Sequence, residues 1–96
     1  SGTVRTQGGN HYSRYIKYRN GLLVQLFWDD GENNPQRFVF PLAYKNRNYM
    51  ITYSSHYLRS QQIITKSPTM CEIMQYMSFN TNDPQAASIQ IMTIGY

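Results

Sequence analysis

Few residues in this chain combine the type and spacing that catalysis requires. The carboxylates are Asp29, Asp30, Glu32, Glu72 and Asp83. Acid–base work on one bond needs two carboxylates facing it from unlike environments. Asp29 and Asp30 are instead neighbours in WDDGENNPQ, where acids serve turns and solvent. That stretch offers too few oxygens for calcium. His11 and His56 lie far apart with no cysteine or carboxylate pattern around them, so no zinc site is expected. Cys71 is the only cysteine, which excludes an intrachain disulfide and a cysteine metal centre. There is no G-x-S-x-G, G-x-G-x-x-G or P-loop, and Gly8-Gly9 belongs to a polar lead-in. The expectation is a protein with no catalytic residue, no metal and no cofactor.

What the chain holds in quantity is tyrosine, nine of 96 residues, against only 15 % charged residues. Tyrosine presents a rigid apolar face with one polar tip, which suits strands and interfaces. The formal charge is +4, with the lysines and arginines scattered and never four in a row, so no nucleic-acid patch is demanded. Basic and aromatic strands do match a single-strand nucleic-acid platform in composition, and that reading stays open as an alternative. No apolar run reaches the roughly 18 residues of a membrane helix, and no signal peptide is evident. The length suits one domain with a modest core of its own.

The elements that must carry these residues read as strands. Residues 1–11 are Gly-rich and polar, a lead-in or linker. Asn20-Gly21, between RYIKYR and LLVQLF, predicts a hairpin with a two-residue type I′ turn. That register pairs Tyr18 with Leu23, Ile16 with Gln25 and Arg14 with Phe27. One face then holds Ile16, Tyr18, Leu23 and Phe27, the other Tyr15, Leu22, Val24 and Leu26. Residues 28–36 read as a loop, and RFVFPLAY at 37–44 as a strand with Pro41 at an edge or bulge. KNRN at 45–48 reads as a turn and 49–57 as an alternating, half-exposed strand. Residues 58–69 read as a long connection. The segment 70–79 fits helix and strand periodicity equally. Residues 80–87 read as a loop and 88–96 as a final strand. The predicted class is all-β: a small antiparallel β-sandwich of about six strands.

Three pieces in order carry a resemblance: YIKYRNGLLVQLF, FVFPLAY and the closing SIQIMTIGY. Together they resemble the C-terminal tip domain of tailed-bacteriophage tail fibres over roughly residues 12–96, with Leu26 and Ile91 standing where that family has tryptophans. The closing block is also similar to the end of H-type lectins. The resemblance implies that 70–79 is a strand and that 1–11 leads in from a fibre shaft. It implies a homotrimer at the distal end of a virion's tail fibre, recognising a bacterial surface glycan or outer-membrane protein without catalysis. Nucleic acid and membrane insertion are not implied. A free sugar-binding lectin is the alternative function.

A trimer would also account for strands that are apolar on both faces, since each must be covered twice. Leu22, Val24, Leu26, Phe38, Phe40, Ile91 and Ile94 are therefore candidates for core or trimer interface. Alternating strand directions put Arg19, Asn20, Lys45, Asn46, Arg47, Asn48, Asn80, Thr81, Asn82 and Asp83 at one end, as candidate receptor-binding loops. Trp28, Asp29, Asp30, Tyr57 and Arg59, on the other loops, form the alternative set.

Overall fold

The computed structural model describes residues 2–5, 11–31, 33–55, 57–77 and 80–96. Among them lie nine strands and no helix: β1 (Gly2–Arg5), β2 (His11–Lys17), β3 (Leu23–Asp29), β4 (Gln36–Val39), β5 (Met50–Ser55), β6 (Arg59–Lys66), β7 (Met70–Met77), β8 (Asn80–Pro84) and β9 (Ile89–Gly95). They form two antiparallel sheets. The larger has the order β1-β2-β3-β9-β5; the smaller has β4-β7-β6, with β8 also paired to β7. Strand β3 alternates strictly between buried and outward positions, as a strand packed on one face must.

The core lies between the sheets. Leu23 and Phe27 from β3 and Ile89 and Ile91 from β9 meet Phe38 from β4 and Cys71 and Ile73 from β7. Phe40, Tyr44 and Tyr49 close one end of it. The two tyrosine rings stack at 4.5 Å, and Phe40 meets both edge-on, a geometry that suits the ring quadrupoles. Segment 70–77 is a strand, the element that the resemblance implied for it.

Several sequence expectations are corrected. The strand count exceeds six because two segments read as connections, and the segment read as a lead-in, contain strands. Within 58–69, β6 pairs with β7; a register shift between Ile63 and Thr65 breaks its alternation, so no period of two was visible. Within 80–87, β8 is a short strand whose Asn, Asp and Pro content mimics a loop. The expected lead-in at 1–11 contains β1 and opens β2. The strand expected over 37–44 stops at Val39. Phe40 and Tyr44 then hold the chain through their N–H groups, which donate to Thr69 and Pro68 carbonyls.

The hairpin register is shifted by one. Tyr18 N–H donates to Leu22 O and Gly21 N–H to Tyr18 O, so the loop is Arg19-Asn20-Gly21, with Gly21 at φ +94°. A three-residue loop of this kind is a type I turn followed by a left-handed glycine. Ile16 therefore faces Val24, and Tyr15 faces Gln25. A one-residue slip exchanges the faces of a whole strand. Tyr15 packs on the core, while Ile16 lies outward with Val24 and Leu26. The split within β3, Leu23 and Phe27 against Val24 and Leu26, stands as expected.

Gly31 follows β3 with φ +86°, and a Cβ there would lie 2.6 to 2.9 Å from Ala87 backbone atoms. Gly31→Ala combines left-handed strain with a backbone clash, so it is expected to cost about 3 kcal/mol or more. A urea midpoint lowered at unchanged m-value would show it; a loss under about 1 kcal/mol would mean that the 85–88 segment yields.

Cys71 is fully buried, and burial foremost pushes its thiol up to about 12, from 9.0. The folded chain thus keeps this proton to higher pH than the unfolded chain. The stability linked to it is complete below about 9 and is lost as pH rises towards 12. Urea denaturation is expected to show stability falling across that window, and Cys71→Val is expected to flatten the fall. An equal fall in the variant would assign it to Tyr44 and Tyr49, whose hydroxyls burial also pushes up.

Candidate functional site

The strand registers lay the outward side chains of the large sheet in rows. Ile16, Val24, Ile94 and Met50 make one row across β2, β3, β9 and β5; Arg14, Leu26, Met92 and Thr52 make the next. Beyond them Trp28, Gln90 and Ser54 form a third. The first row is wholly apolar, with Ile16 40 % and Met50 66 % exposed. Moving one row at a time, the face changes to aromatic, hydroxyl and amide groups. Two adjoining concavities occupy this second half. One, of about 460 Å³, is lined by Arg14, Leu26, Trp28, Thr52, Ser54 and Gln90, among others. The other, of about 300 Å³, shares Trp28, Ser54 and Gln90 and adds Ser88. Volumes of this size are those of small-ligand sites.

A buried polar relay fixes the strand end that carries Trp28. Asp29 turns inward, 7 % exposed. One of its carboxylate oxygens accepts from Gly31 N at 2.7 Å and from Gln36 Nε2 at 2.9 Å. Gln75 Nε2 donates to Gln36 Oε1 and to Ala87 O, and Ser55 Oγ donates to Gln75 Oε1 at 3.2 Å. Asn34 pairs with the Gln75 backbone through both its side-chain oxygen and nitrogen. The relay thus ties β3, β4, β5, β7 and the 85–88 segment together. Among the described residues no buried side-chain nitrogen or oxygen lacks a partner.

The candidate loops fall at both ends. Arg19 and Asn20 lie near residues 45–48, since Gly21 approaches Tyr96 and Lys45 N–H donates to Tyr96 O. Asn80, Thr81, Asn82 and Asp83 lie at the opposite end, because β8 pairs with the Met77 end of β7. The unforeseen strand β6 reverses the direction count for everything after it. The expected ten-residue cluster is therefore two groups. Asn20 and Asn46 each accept from a backbone N–H two residues on, the habit of asparagine in turns. Lys45, Asn46, Arg47 and Asn48 are exposed.

Of the alternative set, Trp28 reaches the outward face and Asp29 faces the interior, while Asp30 follows at the end of β3. Arg59 lies 5.7 Å over the Tyr57 ring and donates to Leu58 O and Gln85 O, so it clasps its own chain. Phe38, Phe40 and Ile91 are core, whereas Leu22, Val24, Leu26 and Ile94 stay partly exposed. Glu32, His56, Gly8 and Gly9 lie outside the described residues. Arg14, Ser88 and Gln90 were not anticipated. Alternation along 49–57 sets Thr52 and Ser54 on one side, but nothing local says that β5 lies beside β9.

Gln75→Leu would leave Gln36 Oε1 without its donor and Ala87 O with only the 3.3 Å bond from Gln36 Nε2 inside the core. Each loss costs about 1–3 kcal/mol, so a destabilisation of roughly 2–4 kcal/mol is expected. Hydrogen exchange should quicken at Gly31, whose partner Asp29 the relay holds. Unchanged exchange there would confine the relay to the β4–β7 contact.

No family model, curated protein or solved structure matches the chain.

Proposed function

We propose that this chain is a non-enzymatic recognition domain: the tip of a bacteriophage tail fibre, working as a homotrimer that adsorbs to a bacterial surface glycan or outer-membrane protein. The observation that carries the reading is the graded outward face of the large sheet. An apolar row built on Ile16, Val24, Ile94 and Met50 suits burial against another copy, since an open apolar patch promotes association. The Trp28 half of the same face, with one cation, hydroxyls and an amide, suits a polar ligand with an apolar side. Both features come from one set of strands, so subunit contact and receptor contact can sit on one rigid scaffold. Three copies would convert millimolar single-site binding into firm attachment through avidity. The resemblance in the hairpin, in FVFPLAY and in the closing IGY supports the same reading.

The reading predicts a trimer in light scattering at micromolar concentration. Val24→Glu with Ile94→Glu would put charge in the apolar row without entering the core, and is expected to yield folded monomers that adsorb to bacterial cells at least tenfold more weakly. A wild-type chain that is monomeric, or that adsorbs to no bacterium in a broad panel, would count against it.

A further inference from the structure

Resting on the recognition reading above, we infer that the concavity around Trp28 binds an anionic saccharide, with a sugar face on the indole and the acid group towards Arg14. The position is specific: the outward face of the large sheet, not the loop ends. Trp28 lines both adjoining hollows together with Ser54 and Gln90. An indole offers a flat, electron-rich face on which the apolar C–H side of a sugar ring can lie. Thr52, Ser54, Ser88 and Gln90 supply hydroxyls and an amide that both donate and accept, as sugar hydroxyls require.

The charge preference follows from the lining. Among the described residues, Arg14 is the charged one that borders either hollow, and none of those described is a carboxylate. Asp29, the residue after Trp28, is turned inward and held by Gly31 and Gln36. The local field is therefore positive on a chain that is already +4. A guanidinium receives a carboxylate or a phosphate through paired N–H groups. A nucleic-acid strand fits less well. It repeats its charge at every nucleotide and needs a track of cations, whereas among the described residues one cation borders this groove.

The relay gives the site its rigidity. Asp29 and Trp28 are consecutive on one strand, so bonds made inside fix the backbone that presents the indole outside. A ligand then meets a preformed surface and less ordering is lost on binding.

Trp28 is the chain's single tryptophan among nine tyrosines, so emission excited beyond the tyrosine absorption band reports this site alone. The intact chain is titrated with oligogalacturonate, with its methyl ester, with the phosphorylated core oligosaccharide of rough lipopolysaccharide and with a single-stranded oligonucleotide. The expected result is a saturable change in emission with one or both acidic sugars. The ester should bind about tenfold more weakly, the scale of a lost charged hydrogen bond, and the acidic sugars should weaken as salt rises. Arg14→Gln, at an exposed position, should abolish the preference for acid over ester while melting temperature and oligomeric state stay unchanged. Trp28→Ala, followed by calorimetry, should lose all sugar binding.

Emission inert to every sugar, equal affinity for acid and ester, or tighter binding of the oligonucleotide would each overturn the inference. So would an indole shielded from acrylamide in the wild type but opened in the Val24→Glu, Ile94→Glu variant, which would assign the hollow to a second copy. Cell adsorption separates this from the reading it rests on. A chain that adsorbs to bacteria equally with and without Arg14→Gln overturns the acidic-sugar site and leaves recognition standing. A chain that adsorbs to none overturns recognition, while the titrations still decide the hollow.

Discussion

The structure depends on amides that cross from one sheet to the other. Two small apolar sheets can slide over each other at little cost, because dispersion and hydrophobic burial are not directional. Polar groups placed between them remove that freedom. Gln36 and Gln75, both fully buried, join Asp29 on β3 to the Ala87 carbonyl and to Ser55 on β5. Any displacement of the sheets would leave several of these groups without partners, at about 1–3 kcal/mol each. At the other end Gln25 pairs with both backbone groups of Leu42, and the Tyr44 and Thr93 hydroxyls bond at 2.7 Å. The stacked aromatics supply burial and the amides supply the position.

That constraint reaches the outward face through the alternation of β3. Leu23, Gln25, Phe27 and Asp29 turn inward, so Val24, Leu26 and Trp28 must turn outward. Fixing the inward set fixes the outward one. The relay concentrates where β3 ends, beside Trp28, and the aromatic cluster lies where the outward face is most apolar. The two halves of the core thus back two chemically different halves of the surface.

The strands with clean alternation or a strong turn were legible in the sequence: the β2–β3 hairpin, the outward side of β5 and the closing β9. The all-β class followed from them. The rest was hidden for identifiable reasons. Asn20-Gly21 announces a turn but not whether two or three residues form it, and that one residue decides which side of β2 is buried. The shift at Ile63 and Thr65 erased the period of β6. Missing β6 then reversed the placement of 80–83, an error of counting directions and not of chemistry. Glutamine is usually exposed; only the meeting of Gln36 and Gln75 across 39 positions makes them core. Trp28 was visible as a candidate, but Arg14, Thr52, Ser54 and Gln90 join it through β2–β3, β3–β9 and β5–β9 pairing, and long-range pairing leaves no local mark.

The same geometry favours the sheet face over the loop ends for the recognition proposed above. Asparagines in loops look suited to sugars, yet Asn20 and Asn46 each give their carbonyl oxygen to a backbone N–H of their own turn. Arg59 is likewise engaged with Leu58 and Gln85 carbonyls. Arg14, Trp28 and Gln90 on the face lie on strands hydrogen-bonded on both sides, Thr52 and Ser54 on an edge strand bonded to β9, and all lie over a core bonded beneath them. A site held within a few tenths of an ångström favours such elements over loop tips. The apolar row beside it has a complementary consequence. A second copy seated on Ile16, Val24, Ile94 and Met50 would wall one side of the hollow, deepening it without new residues from this chain. Assembly and ligand capture would then reinforce each other, since each stabilises the same strand arrangement.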